Sequence, residues 1–150
     1  MKRITRMLVL AALATLVALA PVSGHLVPTV HASSGCTVAN LNGTYAFSFN
    51  GFANVGKADH VKTVPTADVG VARFDGAGNV SASYTDSTNG HISKGNHDVG
   101  TYTVNSDCTG SIVDTTTGGT WDVVILGGGK ELYLIGTNKG GTQTGLIKKL

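Results

Sequence analysis

The sequence predicts an all-β fold, an eight-stranded antiparallel up-and-down β-barrel behind an N-terminal signal peptide. Three observations predict it. Charged residues are 13% of the 150, and glycine contributes 21. That balance suits a turn-rich β protein better than helices, whose exposed faces need Lys and Glu. No apolar i, i+3, i+4 spacing occurs after residue 32. The third observation is the stretch 69–84, where two runs of β-branched, aromatic and small residues flank Asp75-Gly76-Ala77-Gly78-Asn79. This is a hairpin signal, and the pattern recurs to the C-terminus.

The N-terminus reads as a leader. Residues 1–6 are basic and 7–20 form an apolar run, about the length of a signal-peptide core and short for a bilayer span. Val30-His31-Ala32 supplies small or permitted residues before a cut. Residues 1–32 are therefore expected to be a cleaved signal peptide and 33–150 a single barrel domain, with a cut after Gly24 as the alternative. Ser33-Ser34-Gly35-Cys36 lacks the aliphatic residue of a lipoprotein site. The expected location is secreted or periplasmic, with no stable membrane insertion of the mature chain. Without Lys2, Arg3 and Arg6, the 11 basic residues become eight against nine acidic ones, so the mature chain is near −1. With no basic patch interleaved with aromatics, nucleic acid is not an expected partner.

Cys36 and Cys108 are the two cysteines. In an exported protein an even pair reads as a disulfide, and without a CxxC spacing it does not read as a metal site.

The expected strands are residues 41–50, 67–74, 80–86, 99–105, 110–116, 120–126, 131–137 and 142–148. Tyr45, Phe47 and Phe49 share one face of the first. Residues 51–66, with Lys57, His60, Lys62 and Pro65, and residues 87–98, with His91, Lys94 and His97, read as long loops. Short turns elsewhere make consecutive strands antiparallel neighbours. Closing eight of them removes exposed edges and leaves an interior that side chains fill or that holds one small ligand. In this topology Cys36 and the turn carrying Cys108 fall at the same end, the bottom. Both long loops fall at the top, the expected functional mouth.

Cys36, Leu41-Asn42-Gly43-Thr44-Tyr45-Ala46-Phe47, Phe74-Asp75-Gly76-Ala77-Gly78-Asn79-Val80, Gly100-Thr101-Tyr102-Thr103-Val104-Asn105 and Asp107-Cys108-Thr109-Gly110 together resemble small exported bacterial proteins grouped with the allene oxide cyclase barrel-like family, near dirigent proteins. The resemblance covers nearly the whole mature chain. It implies an eight-stranded barrel, often oligomeric, in which some relatives cyclise or orient hydrophobic substrates. Its motifs are turns, strand starts and the cysteine pair, so no catalytic residue carries over.

Strand direction places Phe49, Tyr84, Tyr102 and Trp121 near the top, where they would line the mouth for a small hydrophobic ligand. His60, His91 and His97 lie on the top loops and join them as candidate ligand-binding residues. Their spacing demands no metal, no cofactor is expected, and no catalytic set is assigned. Gly127-Gly128-Gly129-Lys130 is followed by Glu131 and a strand, so it reads as a turn and not a phosphate loop. Asp75–Asn79 lacks the alternating acidic ligands of a calcium loop. Asp86, Asp114, Asp122, Glu131 and Arg73 are charges within strands and are expected mainly to face solvent. Residues 120–126 are apolar on both faces, which suits an outer wall covered in a homo-oligomer.

Three functions fit: a barrel binding a small hydrophobic molecule, a cofactor-free isomerase or cyclase, and an interaction protein. An aromatic cavity favours the first. An inward carboxylate with a raised pKa favours the second. A filled barrel with an apolar outer wall favours the third.

Overall fold

The computed structural model describes residues 35–57 and 59–150. The expected signal peptide, residues 1–32, lies outside the described residues. The elements are a 3-10 turn, Val38–Asn40, and eight strands: β1 Asn42–Val55, β2 Lys62–Asp75, β3 Asn79–Thr88, β4 His91–Val104, β5 Thr109–Asp114, β6 Thr120–Leu126, β7 Glu131–Gly136 and β8 Thr142–Lys149. Each strand pairs antiparallel with the next, and β8 returns to β1 through Tyr45↔Lys149 to Phe52↔Thr142, so the barrel is closed.

The side-chain period of two divides every strand into an inner and an outer face. Tyr45, Phe47, Ala72, Phe74, Tyr102, Ile112, Val123, Ile125, Leu132, Leu134 and Ile147 point inward and are buried. The bottom is plugged. Tyr45 and Tyr102 stack edge-on against Phe74, both at 5.1 Å between ring centroids. The Tyr45 hydroxyl donates to the Gly129 carbonyl at 2.8 Å, and the Tyr102 hydroxyl donates to the Leu41 carbonyl at 2.8 Å. The Cys36–Cys108 disulfide, with Cα atoms 4.9 Å apart across 72 residues of sequence, ties the segment before β1 to the β4–β5 turn. Asp75 organises the β2–β3 turn at the same end. Its carboxylate accepts from the Ala77 and Asn79 backbone N–H groups and the Asn79 side chain, which lowers its pKa to about 2.

The two stretches read as long loops are mostly strand. β1 and β2 stay paired out to Val55↔Lys62, and β3 and β4 out to Thr88↔His91. Pro65 is tolerated inside β2 because its carbonyl faces β3 beyond that strand's last pairing, where it accepts from Asn89 N–H. Its missing N–H therefore interrupts no ladder bond. The β3–β4 turn is Asn89-Gly90, with φ of 52° and 80°. Both residues in the left-handed region match a tight hairpin turn that follows the strand twist. A β-bulge follows, since Tyr84↔Asn96 and Asp86↔Ser93 leave an extra residue on β4 beside Gly95. β5–β8 are short, so these two long hairpins stand past the mouth on one side.

Candidate functional site: a partly aromatic cavity in the upper barrel

Above the plug the interior is open. Inward positions on facing strands carry glycine or alanine: Gly70 and Ala72 on β2, Ala82 on β3, Gly100 on β4 and Gly145 on β8. Small residues there leave a cavity of about 260 Å³. Ala72, Phe74, Ile112, Leu134 and Ile147 form its apolar lower part.

An aromatic arc runs round one side. Tyr84 lies 6.2 Å from Phe47, Phe47 lies 5.3 Å from Phe49, and Phe49 lies 5.9 Å from Trp121, all between ring centroids. Two glycines make room for it. A Cβ at Gly145 would strike the Phe49 ring, and one at Gly119 would strike the Trp121 ring. The Trp121 indole nitrogen is buried without a hydrogen-bond partner among the described residues, close to Gly136 on the inner face. A buried donor left unpaired in this way costs stability unless something supplies an acceptor.

Acidic side chains lie within and beside this arc, with Asp68 on β2 paired directly with Phe49 on β1. Asp68, Asp98 and Asp114 line the cavity, and Asp68 stands directly across from Asp86 in the β2–β3 register. Burial, then the charges of Asp86 and Asp98, push the Asp68 carboxyl up to about 6. The Tyr84 hydroxyl donates to Asp98 Oδ2 at 2.6 Å. Burial, this hydrogen bond and the surrounding carboxylates raise the Tyr84 phenol well above its ordinary range. Asp86 accepts from the Thr88 hydroxyl at 2.8 Å. Asp114 has a turn-forming role: it accepts from the Thr116 and Thr117 backbone N–H groups at 2.7 and 3.2 Å and from the Thr117 hydroxyl.

Of the residues expected at the mouth, Phe49, Tyr84 and Trp121 are brought together in this cavity. Tyr102 is not. Because β4 begins at His91 and not near residue 99, Tyr102 sits near its lower end, in the plug. The histidines do not converge. His60 is exposed in the β1–β2 turn, 3.5 Å from the neighbouring Asp59. His91 follows the Asn89-Gly90 turn, and His97 faces outward against the Ser83 hydroxyl at 3.3 Å. Among the described residues, no three His, Cys, Asp or Glu side chains gather as a metal-binding set. Of the charges expected to face solvent, Asp122 and Arg73 are exposed, whereas Asp114 is buried and faces inward.

Phe47, Asp68 and Asp98 belong to the site without having been singled out. Their signal was the period of two counted back from buried Phe74 and Tyr102, which needs the strand limits first. No protein-family model matches this chain, and comparison with curated proteins gives no match.

Proposed function

We propose that the protein is an exported binding barrel that takes one small, mainly apolar molecule through its upper mouth. The observation that carries this reading is the cavity of about 260 Å³, open above a filled plug and bordered by Phe47, Phe49, Tyr84 and Trp121. A dry cavity of about 150 Å³ holds benzene, so this one suits a molecule of about one or two rings. The disulfide supports an oxidising compartment, in keeping with a secreted or periplasmic location. Kinship with the allene oxide cyclase barrel-like proteins is part of the same proposal and is supported by the closed eight-stranded topology.

A second reading, a cofactor-free isomerase, is favoured by one observation. Asp68 borders the cavity with its carboxyl near 6, close to the working range of a general base. A third feature, the exposed outer-wall residues Val124, Leu126, Tyr133 and Ile135, supports a homo-oligomer, which sedimentation tests.

Native mass spectrometry of the mature protein purified from its own host tests the leading reading. A small molecule retained at one per chain is the expected result. Turnover of that molecule into an isomer of equal mass would move the assignment to the second reading. A clean unliganded mass that stays unliganded when one- and two-ring aromatics are added would overturn the binding reading.

A further inference from the structure

The acidic side chains around the cavity have a charge problem. Asp68, Asp98 and Asp114 border the cavity, Asp86 faces Asp68 on the adjacent strand, and no described residue lining the space is Lys, Arg or His. Like charges directly opposite each other on neighbouring strands destabilise a sheet. The one contact of opposite charges among the described residues is His60 with Asp59, on the β1–β2 turn and away from the cavity lining. Nothing in the described interior neutralises these carboxylates.

The carboxylates differ in how fully they are used. Asp114 is occupied by its own turn, and Asp86 accepts from Thr88 and, at 3.4 Å, from the Asn96 side chain. Asp98 accepts from Tyr84 at Oδ2, and its Oδ1 meets no donor among the described residues. Asp68 meets no donor among the described residues. Beside Asp68, which pairs with Phe49 across β1–β2, the rings of Phe47, Phe49 and Trp121 present an apolar surface whose faces also attract cations.

Building on the binding-barrel reading, we propose that the cavity selects small aromatic or aliphatic molecules that carry a protonated amine. The apolar body lies against Phe47, Phe49 and Trp121, and the ammonium group reaches Asp68 and Oδ1 of Asp98. An ammonium group brings several donors and a positive charge to acceptors that lack both. A neutral alcohol supplies one donor and no charge, and a carboxylate ligand meets repulsion.

Three probes of matched size separate the cases: phenethylamine, phenethyl alcohol and hydrocinnamate. Each is titrated into the mature, disulfide-bonded protein at neutral pH by calorimetry, with Trp121 emission as a second signal, since it is the single tryptophan. The amine is expected to bind about tenfold or more tightly than the alcohol, the scale of one charge-assisted hydrogen bond, with hydrocinnamate weakest. The preference is expected to shrink as pH falls through about 6, because Asp68 protonates there while the amine stays charged. The groups facing Asp68 in that titration are Asp86, Asp98 and Tyr84.

Asp68→Asn, which removes charge and keeps shape, is expected to cut amine affinity severalfold and alcohol affinity much less, so that the amine preference shrinks. Equal affinity for amine and alcohol at neutral pH would overturn the amine inference and leave the apolar cavity standing. Absence of binding by all three probes would overturn the binding-barrel reading together with it.

Discussion

Asp68→Asn is expected to stabilise the protein at neutral pH, although it removes a charged group from the proposed site. The sign comes from linkage. The folded state holds the Asp68 carboxyl at about 6 against an ordinary value of 3.8, so between those pH values the folded chain binds a proton that the unfolded chain has lost. Stability associated with this group is fully present below 3.8 and is lost as pH rises to about 6. The undiscounted size is about 3 kcal/mol, from about 1.4 kcal/mol per unit. Asp68 is only half-buried, and solvent screening reduces this to about 1–2 kcal/mol. Asparagine is neutral at every pH. The variant should therefore match the parent near pH 4 (roughly where both forms are neutral in the fold) and exceed it by about 1–2 kcal/mol from pH 7 upward. On a domain of this size that is roughly 4–8 °C in Tm. Urea unfolding of both proteins at intervals from pH 4 to about pH 8 measures it. A variant less stable than the parent at neutral pH, or a difference that does not change with pH, would refute the reasoning that Asp68 is held against its ionisation.

Replacing both cysteines with serine opens a loop closed across 72 residues of sequence. It is expected to lower unfolding free energy by about 4 kcal/mol in the chain-entropy model, read by urea unfolding; a loss below about 1 kcal/mol would count against that constraint. Tyr102→Phe removes the hydroxyl that bonds the Leu41 carbonyl, so stability should fall by about 1–3 kcal/mol with ligand affinity unchanged. A loss of affinity would place Tyr102 in the site after all. Gly145→Ala puts a Cβ into the Phe49 ring; it should shift Trp121 emission, weaken probe binding and cost about 1–3 kcal/mol by overpacking. Unchanged emission and affinity would separate Phe49 from the site.

The fold was legible because turns carry local chemistry. Asp75–Asn79, Gly127–Lys130 and the Cys108 turn each announce themselves in a few residues, and their spacing alone puts both cysteines at one end. The long hairpins were legible in one place only. Asn89-Gly90 is a strong hairpin dipeptide, but the polar residues around it read as a loop. Polar residues tolerate strand pairing where both faces meet solvent, and the projecting hairpins offer that. The inner face was hidden for a different reason. On β2 the outward residues are Val69 and Val71, whereas the inward ones are Asp68, Gly70 and Ala72. Hydrophobicity is inverted there, because a cavity needs small and polar residues inside. On β4 the alternation from Tyr102 through Gly100 to Asp98 is unbroken and puts Asp98 inside and His97 outside, and the bulge beside Gly95 shifts only the part of the strand before Asn96.

The indole N–H resonance of Trp121 offers the most direct test of a ligand-binding interior. The protein has one tryptophan, and its indole nitrogen is buried at the cavity with no partner among the described residues. Titration with phenethylamine should move that single resonance saturably, together with the Gly100 and Gly119 amides, while Val124, Tyr133 and Ile135 on the outer wall stay still. Shifts confined to the outer wall, or none at the indole up to millimolar probe, would contradict a binding cavity inside the barrel.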